Sequence, residues 1–195
     1  MKGIIMIKII DPPSMSAVPL YEFKNYMRVT HYHADEALGK VLKAAQENIE
    51  AKLQLRLINQ RVFVTCAGRA KMQGMNAVEQ GQQTLVDKEF SVPTAPIQNI
   101  YAAWRISKGQ EHAVNLDDLY QRALGERTRV SLKMAPLDVL KLEALVGYGP
   151  TPADVPESLK MAIMMLAQSF YYGGERLDHA ALKGLLMPYI KRGVA

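Results

Sequence analysis

Residues 147–175, GYGPTPADVPESLKMAIMMLAQSFYYGGE, open in turn chemistry and close as a nearly charge-free apolar run, and no other segment restricts the fold as much. Pro156 suits the first turn of a helix, with Asp154 or Val155 as its cap. From there Leu159, Ala162, Ile163, Leu166 and Phe170 recur at helical spacing as one buried face. Met161, Met164, Met165, Ala167, Tyr171 and Tyr172 carry the apolar surface most of the way round, leaving Glu157, Lys160 and Gln168 as the solvated positions. A helix apolar on two sides needs two packing partners. Either it lies at the centre of its own chain's bundle, or a second copy covers one side, because obligate interfaces resemble a core cut in half. Met161, Met164, Met165, Tyr171 and Tyr172 are therefore the candidate oligomer interface.

The partners within the chain come from the N-terminal part. In VPLYEFKNYMRV, Pro19 fits a first helical position, Glu22 the positive end and Arg28 the closing turn, with Leu20, Phe23 and Met27 on one face. After the polar joint THYHAD, Asp35 or His33 caps a longer helix. Its apolar stripe is Leu38, Val41, Leu42, Ala45, Ile49 and Leu53, with Lys43, Gln46, Glu47, Glu50 and Lys52 on the polar side. These two form an antiparallel helix pair.

Near residue 60 the period changes from helical to alternating. In RVFVTCA, Val62, Val64 and Cys66 share one side and Arg61, Phe63 and Thr65 the other, a half-buried strand. The glycine- and amide-rich segment at 68–83 reads as a long exposed loop. Further strands are expected in TLVDKEFSV, IQNIYAAWRIS, AVNLDDLYQRA, RTRVSLKM and VLKLEALV, between breakers at Pro93, Pro96, Gly109, Gly125 and Pro136. Short strands at this spacing predict a compact antiparallel sheet or barrel-like insertion. The expected fold is α+β: one domain, with helical parts at about 18–58 and 154–190 bundled together and a β insertion at about 60–146.

Chemistry is sparse. His31 and His33 lie two apart without a metal-ligand spacing around them. Cys66 falls at an inward strand position, a small buried hydrophobe, and a single cysteine rules out an intramolecular disulfide framework. The glycines form no phosphate-binding motif, and Asp117 and Asp118, taken as strand neighbours, would point to opposite faces. No catalytic, cofactor or metal site is expected, so no enzyme. The opening MKGIIMIKII is interrupted by Lys8 and Asp11 and lacks a small-residue cleavage site, which argues against a secretory signal; no run reaches the length of a membrane span. Net charge is +5, with Arg69, Lys71, Arg105, Lys108, Arg122, Arg127, Arg129 and Lys133 tilting the β region basic beside Tyr101 and Trp104. Nucleic-acid binding through that region is the alternative function, although no recognised binding module is present.

The tail LDHAALKGLLMPYIKRGVA has an amphipathic piece with Leu182, Leu185 and Leu186, which Pro188 closes. Tyr189, Ile190, Lys191 and Arg192 then form a short apolar-cationic peptide suited to docking on another protein.

Three stretches together resemble the head–tail connector (adaptor) proteins of long-tailed bacteriophages and prophages. VPLYEFKNYMRVTHYHADEALGKVLKAAQENIEAKLQLRLINQRV is similar to the family's opening pair of helices and strand. FSVPTAPIQNIYAAW is similar to its strand–Pro–x–x–Pro–strand middle, and VGYGPTPADVPESLKMAIMMLAQSFYYGGE to its Gly-Tyr-Gly turn and long apolar helix. The resemblance, completed by LLMPYI, covers about residues 18 to 190. It implies a structural virion protein: a dodecameric homo-oligomeric ring below the portal protein, continuing the channel for double-stranded DNA and docking a downstream neck or tail protein (stopper or tail terminator). It also implies a place in the virion neck after assembly in the host cytoplasm, and a C-terminal segment reaching towards the portal. No cofactor and no membrane enter that picture.

Overall fold

The computed structural model describes residues 5–67, 69–70, 86–92, 96–124, 127–135, 138–174 and 177–190. It is an α+β protein whose chain divides into two compact units, one of 1–12 with 60–147, the other of 13–59 with 148–195.

The first unit is β. Strands β1 (Ile5–Asp11), β2 (Gln60–Cys66), β5 (Ile97–Ser107), β6 (Gln110–Val114) and β9 (Val139–Val146) form one antiparallel sheet in the order β1-β2-β9-β5-β6. Strands β3 (Arg69–Ala70), β4 (Val86–Val92), β7 (Tyr120–Leu124) and β8 (Arg127–Met134) form a second, ordered β3-β4-β8-β7. Alternation decides the burial: Val62, Val64 and Cys66 of β2 and Leu140, Leu142, Ala144 and Val146 of β9 meet Phe90, Val92, Val130 and Leu132 of the second sheet in one core. The β5–β6 connection is a two-residue turn with Lys108 and Gly109 both left-handed (φ 49° and 84°), the conformation that matches strand twist in a tight hairpin.

One strand is added to those expected, and one expected strand is interrupted. The opening run is a strand, β1, paired along the edge of β2. AVNLDDLYQRA is not one strand: Asn115 accepts the Asp117 N–H and starts a 3-10 turn at Leu116–Asp118 between β6 and β7, so the two aspartates are turn residues. Most of 68–83 lies outside the described residues.

The second unit is helical: α1 (Leu20–Met27), α2 (Asp35–Leu53), α3 (Glu157–Tyr171) and α4 (His179–Leu186), followed by a 3-10 turn at Met187–Tyr189. Phe23, Leu38, Leu42, Ala45, Ile49, Leu53, Leu159, Ala162, Ile163, Leu182 and Leu186 share its core. Arg28 and Gln54 end α1 and α2 in the left-handed conformation. Ala34, not Asp35 or His33, is the N-cap of α2; the Asp35 carboxylate instead takes the Lys24 ammonium at 2.6 Å, tying α1 to α2. Likewise Pro156 caps α3, and Asp154 belongs to the turn before it. No helix among the described residues is long and apolar enough to cross a membrane.

Candidate functional site

The entry to α3 is set by the Gly-Tyr-Gly turn. Gly147 has a φ of 134°, and Gly149 pairs with the 57–59 segment, its carbonyl accepting the Asn59 N–H at 2.9 Å while the Tyr148 N–H donates to Leu57 at 3.1 Å. The Asp154 side chain folds back over Gly149, where any Cβ would overlap it. There it accepts the Thr151 hydroxyl at 2.8 Å and N–H at 2.9 Å, which hold its carboxyl below the usual range. Pro156 then starts the helix with φ already fixed.

Polar contacts set the helix's rotation. Lys160 is only 7% exposed, against the expectation of a solvated position: its ammonium meets Glu157 at 2.5 Å and Glu22 of α1 at 4.0 Å. The Glu157 bond above all raises its pKa. The Tyr26 hydroxyl donates to Gln168 at 3.3 Å, a second tie to α1. A further network holds α2: Gln46 accepts from the Ser16 hydroxyl and the Ala17 N–H, and donates to Glu50. Glu50 also accepts the Leu57 N–H at 3.1 Å and Arg56 at 3.3 Å. Gln46 and Glu50 are therefore buried, not on the polar side of α2.

With α3 so fixed, its remaining surface is an apolar row. Met161, Met165 and Tyr172 follow one another at spacings of four and seven, on the side away from the core, with Phe170 and Tyr171 beside the helix end. Met161 is 40% exposed and Tyr171 and Tyr172 nearly as much; Met165 is half-buried. Phe170, expected in the core, is also 40% exposed, because the inward side of the last turn is taken by Ser169. The rings of Tyr171 and Tyr172 meet edge to face, 5.3 Å apart. Of the five candidate interface residues, Met164 differs: at 6% exposure it belongs to the chain's own core.

The candidate docking tail divides as well. Tyr189 packs against the helical core, and its hydroxyl lies 2.8 Å from that of Ser158 on α3. Ile190 is exposed; Lys191 and Arg192 lie outside the described residues. Pattern reading misses the Tyr189–Ser158 contact because the two residues are far apart in the chain.

In the β unit the cations of the large sheet's outer face lie against aromatic rings and are neutralised by carboxylates. Lys141 lies 4.8 Å from the Phe63 ring centre, 5.2 Å from that of Trp104 and 2.7 Å from Glu111; Arg61 covers Tyr101 and pairs with Glu143. Arg105 lies 3.6 Å from the buried Asp138. Cys66 is buried, its thiol pushed up to about 12 by loss of water. His31 and His33 have ring centres 6.0 Å apart, and among the described residues no three metal-binding side chains come together.

No protein-family model and no curated protein matches the chain. Solved structures do. The fold is similar to a chain in the virion of a native gene transfer agent particle (TM-score 0.72, 18% identity). It is also similar to chains in the neck of the empty particle computed with C6 symmetry (0.71, 21%) and in the neck of the native particle computed with C12 symmetry (0.68, 20%). In each case the likeness covers 97% of both chains, so both units of the fold are shared.

Proposed function

We propose that the chain is a structural protein of the neck of a tailed, phage-like particle, a head–tail connector whose copies form a ring, with no enzymatic role. The observation that carries this reading is the apolar outer row of α3, which stays uncovered although the helix already completes its own bundle. Likeness over 97% of the chain to neck chains in particles treated with six- and twelve-fold symmetry supports a ring as the arrangement that covers the row. In a closed head-to-tail ring each subunit offers two different surfaces. The α3 row, Met161, Met165, Tyr171 and Tyr172, is one of them, and Met164 supports it from beneath. A dodecamer beneath the portal would extend the DNA channel, with Ile190, Lys191 and Arg192 docking on the portal or an adjacent subunit and Tyr189 anchoring that tail to α3. The opposite end would receive the stopper or tail terminator, in the virion neck after assembly in the host cytoplasm.

Negative-stain imaging and sedimentation of the purified chain, alone and mixed with its portal, test the reading. Annular particles or a portal-bound ring are expected; a monomer that ignores the portal would overturn it. Nucleic-acid binding as the main function is the weaker reading, since Arg105 and Arg129 of the basic set are occupied by carboxylates.

A further inference from the structure

A closed ring needs a second surface to meet the α3 row, and the helical unit carries one on α2. Ala37, Val41, Ala44, Asn48 and Ala51 recur there at spacings of four, three, four and three, the repeat of a coiled-coil seam. The seam turns away from the buried face of Leu38, Leu42, Ala45 and Ile49, and its positions are exposed except the half-buried Val41. None of the five carries a charge, whereas Lys40 and Glu47 stand on one flank and Lys52 on the other. An uncharged seam between charged flanks is how a helix prepares for another helix.

Size decides which helix fits. The seam's side chains are short and leave holes, and the outward row of α3, Met161, Met165 and Tyr172, supplies long side chains to fill them. At about 1.5 Å per residue the row is about 16 Å long and the seam about 21 Å, so the row fits within it. Charge decides the direction. Glu157 lies one turn before Met161 and is exposed, although bonded to Lys160; in a parallel pairing it would stand beside Asp35 and Glu36 at the start of α2. In an antiparallel pairing it meets Lys52 in the last turn of α2, Lys40 approaches the Tyr171 and Tyr172 rings, and the two helix dipoles oppose each other favourably. Pairing α3 with α3 of a second copy would bring two rows of long side chains together and close as a two-fold dimer, leaving no ring. We propose that the outward row of α3 packs antiparallel on the outward seam of α2 in the next copy. The pairing rests on the ring reading and supplies the second surface that such a ring requires.

The test is sedimentation velocity of the full chain over a range of concentrations, with melting curves as the check on folding. Ala44→Glu puts a charge in the middle of the seam at an exposed position, so it should leave melting unchanged and raise the concentration for half-assembly about ten-fold. Lys52→Glu should weaken assembly too, and adding Glu157→Lys to it should recover most of the loss. Rings that form as readily in Ala44→Glu and Lys52→Glu as in the wild type overturn this proposal and leave the ring reading standing. A folded double variant that assembles no better than Lys52→Glu alone overturns the antiparallel pairing. A dimer that Met165→Glu abolishes and Ala44→Glu spares would show α3 pairing with itself, which overturns it as well. A wild-type chain that stays monomeric with and without its portal overturns the ring reading itself, and this pairing with it.

Discussion

A carboxylate out of water must be charged at a cost or neutral, and Glu50 shows which force wins. Burial raises its pKa above 4.5, although the Leu57 N–H, Arg56 and Gln46 all act to lower it. The folded state therefore binds the proton more tightly than the unfolded one. This contribution to stability is full below 4.5 and is lost as pH rises through the folded value. Glu50→Gln keeps an oxygen for the Leu57 N–H, so melting profiles from about pH 4 to 7 should show the wild type losing stability relative to the variant. Parallel profiles would mean that Glu50 titrates as it does in the unfolded chain. Cys66 makes a simpler case: with its thiol held near 12 and no route to water, it should resist thiol reagents at about pH 8 until the chain unfolds. At Gly149 the constraint is space, since a methyl group would collide with Asp154. Gly149→Ala should cost about 1–3 kcal/mol, read as a lower melting temperature.

At the scale of elements, α3 has an inward and an outward methionine next to each other, which makes its two sides separable. Met164→Glu places a charge in the helical core and should cost a few kcal/mol, roughly the penalty for an unpaired buried charge that stays partly hydrated. Met165→Glu should fold with little change in melting and fail to form rings. Two variants that both fold and assemble normally would refute the role given to the outer row. The sequence makes this helix legible because its apolar excess is local, and β2, β8 and β9 are legible because small or aliphatic inward residues alternate with bulkier or polar outward ones. It does not say which side of α3 is covered, nor that Lys160, Gln46 and Glu50 are buried. Those depend on Glu22, Ser16 and Leu57, partners that only the folded chain brings near. The strand β1 escapes for the same reason: its partner on β2 lies beyond both N-terminal helices.

On the scale of the whole molecule, each unit has its own core and neither is continuous in sequence. A chain stopped after Gly147 should thus keep slow amide exchange in β2, β5 and β9 while α2 loses protection, because Leu38, Leu42 and Ile49 have no α3 to pack on. Persistent protection in α2 would show that the first two helices are stable without it. The same discontinuity orders events on the ribosome. Between the release of α2 and the arrival of α3 all of the β unit except β1 is translated, a wait on the order of ten seconds during which the apolar stripe of α2 has only α1 or a chaperone to cover it. The outer row of α3 is made only after α1, α2 and the β unit, so a nascent chain cannot recruit a neighbour through it before those elements exist. In the ring proposed above, this order of synthesis would keep polysomes carrying several unfinished copies from crosslinking through the α3 row.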